Sequence, residues 1–191
     1  MKKRLLVVVD YQKDFVDGAL GFAGAEQLDI PIANKIRSYM DKDSFIVKTM
    51  DTHYSNYLAT REGQNLPIEH CIYGTAGWDV YGETQKALEE ANIEYGVHTI
   101  NKESFGVSPS AMCYLADILG LNSVNACEIE TVEFVGLVSN ICLISNVVVF
   151  QSAFPNATML VNPALTDSFD KELHQKTIDV LQGLQVKLID Y

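Results

Sequence analysis

Apolar positions along the chain follow two rhythms. Short, uninterrupted runs rich in β-branched residues recur at RLLVVV (4–9), FIVKTM (45–50), VHTI (97–100), VEFVG (132–136), TMLV (158–161) and VKLID (186–190). Runs this short and continuous fit strands buried on both faces, as in a parallel sheet, because alternating polarity is needed only where one face meets water. Between them, apolar residues return every three or four positions over Leu28–Met40, Ser108–Leu119, Ile141–Ser152 and Phe169–Leu181, the period of an amphipathic helix. Ser108-Pro109 reads as a helix start, with serine as N-cap and proline at the first helical position. Alternating strand and helix predicts an α/β, doubly wound, mostly parallel sheet of about six strands with helices on both faces. No repeat, low-complexity segment or linker interrupts the pattern, so one domain over residues 1–191 is expected.

In such a sheet, ligands bind at the carboxyl ends of the strands, near the point where strand order reverses. Those ends read Asp10, Asp51-Thr52-His53, NKESFG (101–106) and SNIC (139–142). A carboxylate, a carboxylate with an imidazole, an ammonium and a thiol therefore converge on one edge. Cys142 at a strand-to-helix turn has two readings. It is a small buried hydrophobe, the common fate of free cysteine, or a nucleophile whose pKa the helix N-terminus lowers. Cys113 and Cys127 lie within or just after a helical pattern and read as core filling, as does Cys71. Asp10 is a candidate base or a turn residue, and Lys102 a candidate neutralising cation or a solvated loop lysine. Asp51 and His53 project to the same side of an extended segment and, with a third ligand, suit zinc, iron or manganese. His70 is the candidate third ligand, while His98 in a strand and His174 on a polar helix read as structural.

Composition narrows the partners. The 25 acidic residues against 14 basic ones give a formal net charge of -11, which disfavours nucleic acid and anionic membrane surfaces. The four cysteines form no C-x-x-C pair, and Asp10 cuts the first apolar run too short for a signal peptide, so a cytoplasmic protein with free thiols is expected. The glycines of GALGFAG (18–24) are spaced G-x-x-G-x-x-G and do not open a helix directly, so the dinucleotide fingerprint is absent.

VVVDYQKDFVDGALG (7–21), TMDTH (49–53), EHCIYGTAGW (69–78), NKESFG (101–106) and GLVSNICLISN (136–146) together resemble, in order and over nearly the whole chain, the nicotinamidase/isochorismatase-type cysteine hydrolases. The resemblance implies a catalytic triad of Asp10, Lys102 and Cys142. It also implies divalent-metal ligands Asp51, His53 and His70, with zinc the leading choice and iron or manganese the others. A non-proline cis peptide at Leu137–Val138 would turn the N–H groups of Val138 and Cys142 into one oxyanion hole, and Phe15 and Phe105 would contact substrate. The implied reaction is hydrolysis of a small amide, nicotinamide above all, through a thioester, in a homo-oligomer. Two departures bear on the substrate. NLPIEHC (65–71) has Leu66 where the nicotinamidase branch commonly has a ring-clamping tryptophan, which leaves Trp78 as a possible stand-in. SNIC also lacks the acidic and aromatic residues common at the nucleophile turn. The alternatives are another small amide such as a carbamoyl or ureido compound, and a non-catalytic binding protein on the same fold. Isochorismatase chemistry would leave Cys142 idle.

Overall fold

A computed structural model describes residues 2–120 and 128–190; Cys127 lies outside the described residues. Six parallel strands form one sheet in the order β3-β2-β1-β4-β5-β6. They are β1 (Lys2–Val9), β2 (Ser44–Asp51), β3 (Val97–Lys102), β4 (Glu128–Leu137), β5 (Thr158–Asp167) and β6 (Lys187–Leu188). Strand β1 shows why the runs are apolar at every position. Leu6 and Val8 pack on one face, while Leu5, Val7 and Val9 pack on the other. The first face is covered by α2 (Asp29–Ser38) and α4 (Gly82–Glu94), through Ile32, Ile36, Ala87 and Leu88. The second is covered by α5 (Pro109–Ile118), α6 (Ile144–Ala153) and α7 (Lys171–Gly183), through Leu115, Val147, Phe150, Ile178 and Leu181. Two short helices, α1 (Lys13–Val16) and α3 (Arg61–Asn65), lie in the loops after β1 and β2. No helix of the described residues is long and apolar enough to cross a membrane.

The expected N-cap holds: Ser108 Oγ accepts from the Ala111 N–H at 3.3 Å, with Pro109 next in line. Helix α4 is the element that apolar spacing did not single out. Its buried positions are Thr84, Ala87, Leu88 and Ala91, so small side chains carry most of the contact and the hydrophobic stripe is faint. Its cap is also remote in sequence. Asp29, at the start of α2, accepts from the N–H groups of Glu83 and Thr84, both at 2.8 Å, so one carboxylate satisfies two orphan donors of another helix. The helix expected from Ile141 begins instead as a π-turn over Ser139–Leu143 before α6 proper.

Strand order reverses between β1 and β4, which places the site at their carboxyl ends. Gly136 makes that junction possible. It sits at φ +112°, and a Cβ there would lie 2.0 Å from the Val9 carbonyl oxygen. Gly136→Ala is therefore expected to destabilise the protein by about 2–5 kcal/mol, combining left-handed strain with a backbone clash. Denaturant unfolding measures this; a midpoint unchanged from the parent protein would show that β1 and β4 part without cost.

Candidate active site and metal-binding cluster

Four strand ends deliver the reactive groups. Asp10 follows β1 with φ +43°, a conformation uncommon outside glycine and of the kind found where a surrounding structure holds a functional side chain in place. It is fully buried, and Thr49 Oγ1 donates to its Oδ1 at 2.7 Å. Lys102, the last residue of β3, places Nζ 2.7 Å from Asp10 Oδ2, 3.2 Å from Asp51 Oδ1 and 3.6 Å from Cys142 Sγ. Asp10 Oδ2 is held in a buried ion pair with the Lys102 ammonium, while Oδ1 is held by Thr49. Asp10, Lys102 and Cys142 are thus brought together, far apart in sequence and buried in one place.

Burial sets the protonation states. It is the largest cause raising the Asp10 carboxyl; Lys102 opposes it, Asp51 reinforces it, and the net direction is upward. Burial likewise pushes the Cys142 thiol well above its ordinary value, with Lys102 alone among the main influences pulling down. Burial therefore opposes the thiol depression expected from a helix N-terminus, because a buried thiolate loses solvation. For Lys102, burial works against the charge, but Asp10, Cys142 and Asp51 together raise its pKa well above the usual lysine value.

The second cluster adjoins the first through Asp51. His53 Nε2 and His70 Nε2 lie 3.1 and 3.3 Å from Asp51 Oδ2, and Glu62 Oε1 lies 3.7 Å from each imidazole nitrogen. One donor atom from each of Asp51, His53, Glu62 and His70 falls within 4.8 Å of the others, the spacing of a metal-binding group. His53 Nε2 is buried without a hydrogen-bond partner, as a ligand nitrogen awaiting a cation would be. His70 Nδ1 faces the Ile68 carbonyl at 2.8 Å, which orients Nε2 toward the cluster. Burial raises Asp51 on its own, yet Lys102 and the two imidazoles outweigh it and hold the carboxyl well below the usual range. Burial and the Asp51 charge raise Glu62. Two histidines and two carboxylates around one point fit a divalent ion of the zinc, iron or manganese type.

Sequence spacing missed Glu62 because it arrives on α3, nine positions beyond His53 and without periodic relation to it. It also missed the residues that hold the ligands. Gln12 accepts from the Asp51 N–H at 2.7 Å and donates to the carbonyls of Asp51 and Trp78, both at 2.9 Å. Asp14 Oδ2 accepts from the Cys71 N–H at 2.7 Å, and the His53 N–H donates to the Cys71 carbonyl at 3.0 Å, zipping the two histidine segments together. Asn146 donates to the carbonyls of Cys142 (2.8 Å) and Phe105 (3.2 Å) and accepts from the Val107 N–H (3.1 Å), clamping the nucleophile turn to the loop after β3. Their signal, polar residues in otherwise apolar surroundings, is visible only once burial is known.

The Leu137–Val138 peptide is cis, as expected. Cys142 opens into a cavity of about 480 Å³ with Val138, Phe15, Leu20, Phe105 and Phe169 in its walls and Asp51, Glu62 and His70 at one side. Both predicted aromatics therefore line it. Trp78 does not; its Nε1 donates to Thr52 Oγ1 at 3.0 Å and its ring meets Tyr73 edge-on at 4.9 Å. His98 is half-buried in β3, whereas His174 bonds Ser139 Oγ at 3.0 Å and so touches the nucleophile turn. Cys71 is buried and Cys113 is exposed, so the core role expected for Cys113 is not met: it faces outward from α5.

The fold is that of the isochorismatase-like and nicotinamidase hydrolases of known structure. Nicotinamidase/pyrazinamidase of Bacillus subtilis superposes with a TM-score of 0.83 at 19% identity over 98% of this chain and 100% of that one. Pyrazinamidase of Pyrococcus horikoshii, solved in complex with zinc, gives 0.79 at 18% identity over 99% of both chains. N-carbamoylsarcosine amidase of Thermoplasma acidophilum gives 0.74 at 19% identity over 97% of this chain and 95% of that one. No protein-family model and no curated protein sequence matches this chain.

Proposed function

We propose that this chain is a cysteine-dependent amidohydrolase that converts a small primary amide to its acid and ammonia, with nicotinamide as substrate. The observation that carries the reading is that Lys102 Nζ contacts both Asp10 and Cys142, and that Cys142 opens into the cavity whose wall also holds Asp51, Glu62 and His70. With the thiol raised and the Lys102 ammonium 2.7 Å from Asp10 Oδ2, the resting state is a neutral thiol beside an ion-paired carboxylate. Sγ passes its proton to Asp10 Oδ2 and attacks the amide carbonyl carbon. The oxyanion rests on the N–H groups of Val138 and Cys142. Asp10 returns the proton to the amide nitrogen, the C–N bond breaks, and ammonia leaves a thioester on Cys142. Water then gives a proton to Asp10 and attacks the thioester carbon; the acid departs and Sγ recovers the proton. Lys102 stays charged throughout and offsets the negative charge that moves between Asp10, sulfur and oxyanion.

Asp51, His53, Glu62 and His70 would hold a zinc ion. When bound, it supplies a Lewis-acid anchor for an electron-pair donor of the substrate, such as a pyridine nitrogen. Phe15 and Phe105 supply apolar surface for a flat ring. A second reading, a carbamoyl or ureido compound, is favoured by Leu66 and by the lack of any tryptophan in the cavity wall. The free thiols of Cys71, Cys113 and Cys142 suit a reducing, cytoplasmic setting.

The test is ammonia release from nicotinamide by the purified zinc-loaded protein, with acid-quenched samples digested for mass spectrometry. Ammonia together with an acyl adduct on the Cys142 peptide is the expected result. Ammonia from a carbamoyl compound but not from nicotinamide would transfer the assignment to the second reading. Release of ammonia without any adduct on Cys142 would overturn the thioester route.

A further inference from the structure

The cavity above Cys142 does not end at the metal-binding cluster. Beyond it lies a second cavity of about 590 Å³, lined by His53, Tyr54, Tyr57, Arg61, Asn65 and Glu103 among others. Glu62, Leu66, Phe105 and Ile141 line both spaces, so these four side chains form the partition between them. Two of them lie at the surface end of the partition: Leu66 is half-buried, and Phe105 is 47% exposed on its loop. Each space alone is in the range that accommodates a drug-sized ligand, more than one six-membered ring with a carboxamide needs. Their walls also differ. The Cys142 side is mainly Phe15, Leu20, Val138 and Phe169, whereas the far side adds Asn56, Thr60, Asn65 and Arg61. The Arg61 guanidinium has neither an ion pair nor a hydrogen bond among the described residues.

We propose that the second cavity is a specificity subsite: the preferred substrates are primary amides with a flat apolar core at Cys142 and a hydrogen-bond-accepting arm that passes Leu66 and Phe105 toward Arg61 and Asn65. The inference rests on the amidohydrolase reading above and names the substrate class of the same site. Leu66 is the specificity-determining position. A bulky ring there would thicken the partition and confine the enzyme to one small ring, whereas leucine, which lines both spaces, fills less of it.

The experiment compares kcat/KM for nicotinamide with that for nicotinamides carrying a hydroxymethyl arm at each free ring carbon in turn. The wild-type protein is measured beside Leu66→Trp and Arg61→Ala. The readout is the ratio of armed to unarmed substrate, which cancels any general loss of folded or active enzyme. For at least one ring position the wild-type ratio is expected to reach or exceed about one, and to fall at least about tenfold in Leu66→Trp, the scale on which a pocket discriminates by size. A smaller fall in Arg61→Ala, mainly through KM, would place the arm against the guanidinium. Rejection of every armed amide by the wild type by more than about tenfold overturns the subsite, as does a ratio that Leu66→Trp leaves unchanged. Hydrolysis of nicotinamide alone thus removes only this inference. The lack of Cys142-dependent ammonia release from all of these nicotinamides removes the nicotinamide reading and the subsite with it.

Discussion

On the proposed mechanism, Asp10→Asn and Cys142→Ala are each expected to lower amide hydrolysis by on the order of 10⁴-fold or more, with the double variant little worse than either single one, because the two groups would act as one proton-transfer unit. Asparagine keeps the shape of Asp10 and its contact with Thr49 but cannot take the thiol proton. The raised thiol makes that transfer indispensable, since little thiolate exists at neutral pH without it. The loss is chemical rather than structural: in Asp10→Asn, Lys102 still has Asp51 at 3.2 Å, so its buried ammonium is not left unpaired. Circular dichroism and thermal melting should therefore show folded protein in both variants. The pH profile carries the same logic with a definite sign. Asp10 must be ionised to act, and burial raises its pKa above the usual carboxylate value of 3.8. Activity is consequently lost as pH falls through that raised value, while the Cys142 thiol, pushed above its ordinary 9.0, causes no loss on the alkaline side near neutrality. Retention of more than about a tenth of the activity in Cys142→Ala would reduce that residue to packing and leave the site without a nucleophile.

Removing the metal is expected to cost at least about 100-fold in activity on nicotinamide, restored by zinc, and to lower the melting temperature in proportion to the metal's affinity. The physical reason is charge. Asp51 and Glu62 face each other across the two imidazoles in a largely buried site, close to Asp10, and the nearby Lys102 already serves Asp10 and Asp51. A divalent cation held there would relieve that repulsion and give His53 Nε2 a partner. Glu62→Gln should weaken zinc binding by about 10–100-fold and make the melting temperature less responsive to added zinc, because it removes one anionic donor and leaves the other three. Asp51→Asn should be worse on both counts, since Asp51 also pairs with Lys102. Dialysis against a chelator followed by titration with zinc, read by ammonia release and by melting, decides the matter. Full activity in chelated protein would make the four-residue cluster a structural ion-pair network with no part in the reaction.

Predictions about subtler residues inherit this layout. Gln12, Asp14 and Asn146 each hold a backbone segment that carries a proposed ligand or the proposed nucleophile. Such buried side-chain-to-backbone bonds are costly to leave half-made. Their loss would be felt as misplacement of Asp51, His70 or Cys142 rather than as a missing functional group.

Much of this protein was legible in one dimension because the relevant forces are local or periodic. Unbroken apolar runs require strands covered on both faces, and Leu5 to Val9 divide between two cores as such runs must. Alternation with helical spacing then demands a parallel sheet, and its carboxyl edge names Asp10, Asp51, His53, Lys102 and Cys142 before any distance is known. Helix α4 escaped because its core face is mostly small side chains, Thr84, Ala87 and Ala91, and its cap, Asp29, sits on another helix. What only the tertiary structure decided was proximity and solvation. Glu62 joins the histidines because the loop after β2 folds back over the site, a long-range closure with no periodic trace. Cys142 is a raised thiol rather than a depressed one because the fold encloses it, and a charge's cost depends on the solvent it loses rather than on its place in the sequence.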